Sequence, residues 1–246
     1  MDRDKGLIII PVKNEYSSLK NILESLKDEN ILVVNDNYKE FNYPNKKDLI
    51  ILENKKNLGK GASLKKGFQY AIDNKFNYVI MMDADGEHPP NLIPEFKEKL
   101  QKKDMVFGQR RFHRSLSRKI FNLFASFWVR RLGINIDDAT CGYMGIRTKI
   151  LKNMVLKSKG FDIDIELIME SLKFTKKHGV VNIDNKKFDS SNIKRRDILD
   201  INDRYDLWII ENKGFLLKKY GKTKYSFLYI SAINGLIIGK LIRLIS

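Results

Sequence analysis

Apolar residues enter this chain in short unbroken runs: Leu7-Ile8-Ile9-Ile10 with Val12, Ile31-Leu32-Val33-Val34, Leu49-Ile50-Ile51-Leu52, Tyr78-Val79-Ile80-Met81-Met82, and Met105-Val106-Phe107 with Gly108. Runs without polar alternation suit strands covered on both faces, the condition of a parallel sheet. The stretches between them follow a helical period instead. Leu19, Ile22, Leu23 and Leu26 recur at that spacing, with Ser17 or Ser18 as the expected cap. Gly61 to Ala71 and Asn91 to Leu100 read as further helices. Strands alternating with helices predict an α/β fold built on a mostly parallel, doubly wound sheet. No internal repeat or low-complexity linker interrupts the pattern, so residues 1–222 are expected to form one domain.

The second half has a different pattern. Leu116 to Leu132 is a helix candidate carrying Ile120, Leu123, Phe124, Phe127, Trp128 and Leu132, with arginines at both ends. A core helix explains the stripe; a basic amphipathic helix at a lipid interface explains stripe, tryptophan and arginines together. From Tyr225 to Gly239 no charged residue occurs. That run is shorter than the roughly 20 apolar residues a spanning helix needs, unless Lys240 and Arg243 snorkel. Lys218, Lys219, Lys222 and Lys224 precede it, as expected of a segment facing anionic lipid. Residues 223–246 are therefore expected to form an apolar C-terminal helix in contact with membrane, spanning or lying flat. The alternative is a helix docked on the domain or on a second subunit.

Composition narrows the class. A chain of 246 residues that is 43% apolar can bury a full α/β core. Cys141 is the only cysteine, which rules out an internal disulfide and fits a reducing compartment. The start, Met1-Asp2-Arg3-Asp4-Lys5-Gly6, lacks the apolar core of a signal peptide, so no export is expected. The net charge of +16 suits nucleic acid, an anionic membrane surface or a phosphorylated substrate. Arginines gather at Arg110, Arg111, Arg114, Arg118, Arg130 and Arg131, and Asp104 is the only acid between Lys102 and Arg131.

The most informative segment is Asp83-Ala84-Asp85-Gly86-Glu87-His88-Pro89-Pro90, which follows the fourth apolar run. Two carboxylates one residue apart at a strand's C-terminal end suit a hard divalent cation able to hold a nucleotide-sugar diphosphate. The crevice outside the carboxyl ends of parallel strands is also where open α/β sheets place ligands.

With this segment in place, the chain resembles the family 2 glycosyltransferases of GT-A fold, and among them the dolichyl-phosphate or polyprenyl-phosphate sugar synthases. The ordered matches are Ile10-Pro11-Val12-Lys13-Asn14-Glu15, Val33-Val34-Asn35-Asp36-Asn37, Asn57-Leu58-Gly59-Lys60-Gly61-Ala62, the acidic segment, Gly108-Gln109-Arg110, and Asp138-Ala139-Thr140-Cys141-Gly142-Tyr143. The resemblance implies a Rossmann-like GT-A domain with donor contacts from Pro11, Asn14, Glu15, Asn35, Asp36, Gly59, Lys60, Gly61, Asp83 and Ala84. Asn35 stands where relatives usually carry Asp, which implies an altered base contact. Gly59 and Gly61 would let backbone approach the ligand, and Lys60 would supply charge to phosphate; Walker spacing is absent. Mg2+ or Mn2+ would be held by Asp83 and Asp85, joined by Glu87 where relatives often carry Gln. His88 is a possible metal ligand by its chemistry, with a hydrogen-bonded turn residue the favoured role. Arg110, Arg111, Arg114 and Arg118 suit an acceptor phosphate, since guanidinium binds phosphate bidentately, and Asp138 would border that site. Asp83, Asp85, Arg110 and Arg118 form the expected catalytic set.

Cys141 is expected to be a small buried residue, and Glu166 a supporting acid at a helix start. Lys186, Lys187, Lys194, Arg195 and Arg196 flank a stretch that reads either as a loop closing over diphosphate or as an exposed basic loop. The implied reaction is inverting transfer of a sugar from a UDP- or GDP-sugar to a polyprenyl or dolichyl phosphate, at the cytoplasmic face of the cell membrane. Such an acceptor is already anionic, so no strong general base is required. A homo-oligomer is compatible with the sequence. The competing readings are a glycan or glycolipid acceptor, a catalytically dead membrane scaffold of the same fold, and a basic nucleic-acid-binding module. The last leaves the acidic cluster and the apolar C-terminus unexplained.

Overall fold

The computed structural model describes residues 5–37, 41–111, 116–184 and 195–245, the side chains of residues 116–118, 120, 121, 124, 195, 244 and 245 excepted. Seven strands form one sheet: β1 (Gly6–Val12), β2 (Ile31–Asn35), β3 (Leu49–Glu53), β4 (Tyr78–Met81), β5 (Met105–Arg110), β6 (Met144–Arg147) and β7 (His178–Ile183), in the order β3-β2-β1-β4-β6-β5-β7. All neighbours are parallel except β6, which runs antiparallel to both β4 and β5. The five strands expected from the apolar runs are present. β6 and β7 were not expected, because Met-Gly-Ile-Arg and His-Gly-Val-Val-Asn-Ile are short and broken by glycine.

Alternate residues of a strand face opposite sides of the sheet, and the core divides accordingly. Leu7 and Ile9 of β1 with Leu32 and Val34 of β2 pack on one side, against Leu64 and Phe68 of α2 (Lys60–Asp73). Ile8 and Ile10 with Ile31 and Val33 pack on the other, against Leu19, Ile22 and Leu23 of α1 (Tyr16–Ser25) and Phe96 of α3 (Ile93–Lys102). Coverage on both faces is why the strand runs lack polar alternation. α1 begins one or two residues before the expected serine cap. Ser17 and Ser18 lie inside the helix, and Glu15 is at the N-cap position, its Oε2 accepting from the amides of Lys13 and Asn14 at 3.0 Å each.

The remaining helices are α4 (Leu116–Arg131), α5 (Thr148–Leu151), α6 (Ile163–Ser171), α7 (Arg195–Glu211) and α8 (Lys213–Ile245). α4 has a buried side and an exposed apolar side. Ala125, Val129 and, just past its end, Leu132 are buried, while Leu123 and Phe127 on the opposite side are half exposed. α8 starts well before the expected residue 223 and breaks at Gly221 (φ 79°, ψ 171°). Tyr225, Leu228 and Ala232 then seat it on the protein. It runs antiparallel to α7: Gly235 lies against Asp206, Gly239 against Asp203, and Arg243 reaches Asp200. Lys186, Lys187 and Lys194 of the expected closing segment lie outside the described residues.

Register brings the chemistry to one edge. Val12 pairs with Asn35, so β1 and β2 end level, and β4 ends at Met81 opposite Ile9, which brings the following Asp83 level with Pro11 of β1. β6 enters from that same edge, with Met144 opposite both Met81 and Phe107. Its antiparallel sense therefore delivers residues 138–143 beside the ends of β4 and β5.

Candidate active site

The loops at this edge enclose a cleft of about 330 Å³. Of the residues expected from sequence, Pro11, Asn14, Glu15, Asp36, Gly59, Lys60, Asp83, Ala84, Asp85, Glu87 and Arg110 line it. Asn35, Gly61 and Asp138 stand behind its wall, and Arg111 lies outside it, paired at the surface with Asp184 at 3.2 Å. Arg114 lies outside the described residues, as does the side chain of Arg118.

The acidic segment is a tight turn. The Asp83 amide donates to Nδ1 of His88 at 2.8 Å, the Glu87 amide donates to Asp85 Oδ1 at 3.0 Å, and Gly86 takes φ 85°, which favours glycine. His88 is buried and stacked on Tyr143 at 4.9 Å. Burial lowers its pKa, and its accepting Nδ1 leaves the neutral proton on Nε2, so it acts as a structural pin for the turn.

Lys60 crosses to this turn from the start of α2. Its Nζ lies 2.9 Å from Asp83 Oδ1 and 2.9 Å from Asp164 Oδ2. Burial alone would lower the lysine pKa, but the charges of Asp164 and Asp83 outweigh it and the ammonium is held protonated. Burial likewise opposes ionisation of Asp83, and Lys60 outweighs it; Asp83 is held below the usual carboxylate range. The pKa of Asp164 is raised, because burial exceeds the help from Lys60 and Asp83 adds like charge. The second oxygen of Asp164, Oδ1, is buried without a hydrogen-bond partner. Gly142 closes the group: a Cβ there would lie 2.5 Å from Lys60 Nζ and 3.1 Å from oxygens of both Asp83 and Asp164. Among the described residues no three His, Cys, Asp or Glu side chains form a ready metal cage. Carboxylate oxygens are nonetheless the donors that Mg2+ or Mn2+ prefers, and such ions commonly bind through one or two carboxylates plus substrate phosphates. Asp83 and Asp85 fit that requirement.

Arg110 forms the opposite wall. Nε donates to Asp138 Oδ2 at 2.7 Å, Nη2 to Asp138 Oδ1 at 3.2 Å and to Thr140 Oγ1 at 3.1 Å, and Nη1 to Glu87 Oε2 at 3.2 Å. Burial works against the guanidinium, and Asp138 more than compensates, raising its pKa. Asp138 is correspondingly depressed against the pull of burial. The pair differs from its sequence reading: Asp138 is sequestered behind the wall, and three of the arginine nitrogens are already engaged. Glu87 lines the cleft with one carboxylate oxygen given to Arg110.

The glycines of the Gly-Lys-Gly loop also act differently from expectation. A Cβ at Gly59 (φ 93°) would overlap the carbonyl of Lys159, and one at Gly61 would lie 2.9 Å from the Ser158 oxygen. The close approach is to the 158–160 loop, with the Ala62 amide donating to Lys159 O at 3.1 Å. Glu166 holds that loop from α6, accepting from the Ser158 amide at 2.8 Å and the Lys157 amide at 3.0 Å. Asp36 braces the near side, accepting from the amides of Leu58 at 2.9 Å and Gly59 at 2.8 Å. Asn35 is fully buried, its Oδ1 accepting from Tyr16 Oη at 2.9 Å. Cys141 is buried, and its thiol is pushed up to about 12 by that burial, which removes it as a nucleophile.

Asp164, Phe161 and Lys13 also line the cleft without having been expected there. The sequence points to Glu166 as the acid at this helix start; nothing in the spacing of Asp164 and Glu166 signals which carboxylate faces Lys60.

The fold is that of GT-A enzymes. Glucosyl-3-phosphoglycerate synthase from Mycobacterium tuberculosis, solved with Mn2+, UDP and glucosyl-3-phosphoglycerate, superimposes with a TM-score of 0.60 over 82% of this chain and 80% of that one, at 16% identity. Among curated proteins, the undecaprenyl-phosphate mannosyltransferase of Micrococcus luteus is 27% identical over 192 residues, 70% of this chain and 79% of its own. The dolichol-phosphate mannosyltransferase of Pyrococcus furiosus is 26% identical over 200 residues, 70% of this chain and 54% of its own. The family model described as glycosyl transferase family 2 matches residues 7–155, which run from β1 past β6 and include the acidic turn, Lys60, Arg110 and Asp138. This chain belongs to glycosyl transferase family 2.

Proposed function

We propose that the protein moves a hexose from a nucleoside-diphosphate donor, UDP- or GDP-linked, to the phosphate of a polyprenyl or dolichyl lipid at the cytoplasmic face of a membrane. The observation that carries this reading is the Asp83–Asp85 turn lining a cleft at the carboxyl edge of the sheet, with Lys60 beside it. The names of the Micrococcus luteus and Pyrococcus furiosus relatives support the lipid-phosphate acceptor.

Asp83 and Asp85 would hold Mg2+ or Mn2+, which when bound neutralises charge on the departing diphosphate. Pro11, Asn14 and Glu15 form the side of the cleft where a base and ribose fit, and Asp36 keeps the 57–59 backbone in place through its two amide contacts. Lys60 stays charged throughout, and a diphosphate entering the cleft gives its ammonium a further partner. An acceptor phosphate is an anion near neutral pH and attacks the anomeric carbon directly, inverting it. Neutral His88 and the protonated Cys141 thiol are consistent with a reaction that needs neither a base nor a protein nucleophile.

The test is transfer from a panel of UDP- and GDP-sugars to a short polyprenyl phosphate, with and without Mn2+. Asp85→Ala is expected to abolish transfer, and Arg118→Ala chiefly to raise the acceptor KM. Unimpaired turnover by Asp85→Ala would remove the mechanism.

A further inference from the structure

We infer that α8 lies flat on an anionic bilayer and that α4 shares the same lipid-facing plane. The inference takes the membrane contact of the preceding reading and supplies its geometry. By length and composition Lys213–Arg243 is able to cross a membrane. Its partners argue against crossing. Beyond Gly221 one side of α8 is packed against the protein: Tyr225, Leu228 and Ala232 are buried, Gly239 lies against Asp203 of α7, and Arg243 pairs with Asp200 at 2.9 Å and Asp203 at 2.8 Å. Gly235 packs so closely on Asp206 that a Cβ would overlap its carboxylate. A spanning α8 would carry these carboxylates into hydrocarbon, where an ionisable side chain is costly, or would have to leave α7 altogether. A helix lying at the interface keeps every one of these contacts.

The other side of α8 is apolar and exposed. Phe227 (51%), Ile230 (59%), Ile237 (53%) and Leu241 (53%) recur at helical spacing on one face. α4 continues that face with Leu123 (50%) and Phe127 (47%). The two helices meet at aromatic contacts: Trp128 lies 5.3 Å from Phe127 and 6.4 Å from Phe227, and the Arg131 guanidinium sits 5.5 Å from the Phe127 ring and 5.1 Å from the Phe227 ring. An aromatic group topped by a cation is what a headgroup boundary accommodates. Neither α4 nor α8 contains an acidic residue, and Lys218, Lys222, Lys224, Lys240, Arg130 and Arg131 are exposed around the apolar strip. A second copy would oppose this basic rim with its own; anionic lipid complements it.

This seating has a consequence for the cleft. The inner side of α4 is hydrogen-bonded to the segment that holds Arg110: Asn122 Nδ2 donates to Asp137 O at 2.9 Å, and the Ala139 amide donates to Ser126 Oγ at 3.0 Å. The wall carrying Arg110 and Thr140 is thus about one helix diameter, roughly 10 Å, from the lipid surface. A lipid-borne phosphate then reaches the cleft around α4 without leaving its bilayer.

The experiment is flotation of the full chain with vesicles of phosphatidylcholine alone or mixed with phosphatidylglycerol, at low and high salt. Binding is expected only with the anionic lipid, to weaken at high salt, and to be reversed by alkaline carbonate. The double variant Ile230→Asp/Ile237→Asp is expected to lower binding by about tenfold or more, from lost burial of two large side chains. Its melting temperature, its Mn2+-dependent nucleoside-diphosphate binding and its transfer to a water-soluble short-chain polyprenyl phosphate are expected to be unchanged. The last two measurements separate failure of this geometry from failure of the reaction. Retention through carbonate, with a C-terminal tag shielded inside the vesicle, overturns the flat placement. Vesicle binding unaffected by the double variant overturns the assigned face, as does a dimer in solution that the same variant dissolves.

Discussion

Two arginines adjacent in sequence have opposite fates. Arg110 is clamped between Asp138 and Glu87, with only 12% of its side chain exposed and Asp138 fully covered, whereas Arg111 and Asp184 are 59% and 64% exposed. An exposed pair contributes about 0–1 kcal/mol. Removing one partner of a buried pair strands the other charge and costs about 3–5 kcal/mol. Asp138→Ala is therefore expected to lower the free energy of unfolding by about that amount in urea titrations, and Arg111→Ala by less than about 1 kcal/mol. Similar losses from both would refute the clamp. The cluster of arginines was visible in the sequence; which of them is walled in was not, because Arg110 and Asp138 are 28 residues apart and meet only through β6.

Two contacts between elements deserve their own measurements. Gly59 holds φ 93° at the start of α2 while its amide donates to Asp36, so Gly59→Ala is doubly penalised, by conformation and by overlap with Lys159 O. It is expected to weaken nucleoside-diphosphate binding at least tenfold in calorimetric titration. Gly214→Ala, with nothing within 4 Å of the new methyl, is expected to leave that binding unchanged. Between α7 and α8, the pKa of Asp206 is pushed up to about 7, first by burial and then by Asp203. Its native state therefore holds a proton that the unfolded chain releases near 3.8, the ordinary value for an aspartate. The resulting contribution is full below pH 4 and is lost as pH rises to about 7. Asp206→Asn is expected to melt higher than the parent chain above pH 7 and to match it near pH 4; a constant difference across that range would disprove the assignment. The apolar run of α8 was legible from the sequence, but α7 and its contact with α8 were not, since Arg195–Glu211 mixes charged and apolar residues and Asp200, Asp203 and Asp206 find their partners only against α8.

Across the whole molecule, local pattern determined a good deal. Apolar runs specified β1 to β5, because a strand buried on both faces needs continuous apolar side chains whatever lies beside it. The acidic turn after β4 was equally readable, since in a parallel sheet the carboxyl end of a strand is an edge where ligands gather. The tertiary structure decided the rest. The antiparallel entry of β6 brings Asp138, Thr140 and Gly142 to that edge, and Lys60 meets Asp164 across 104 residues of chain. The aromatic junction of α4 with α8 joins two apolar faces that the sequence lists separately. Periodicity records what a residue does for its own helix or strand. Pairing between distant charges, and the burial that sets their protonation, exist only once the chain has folded and solvent has been excluded from between them.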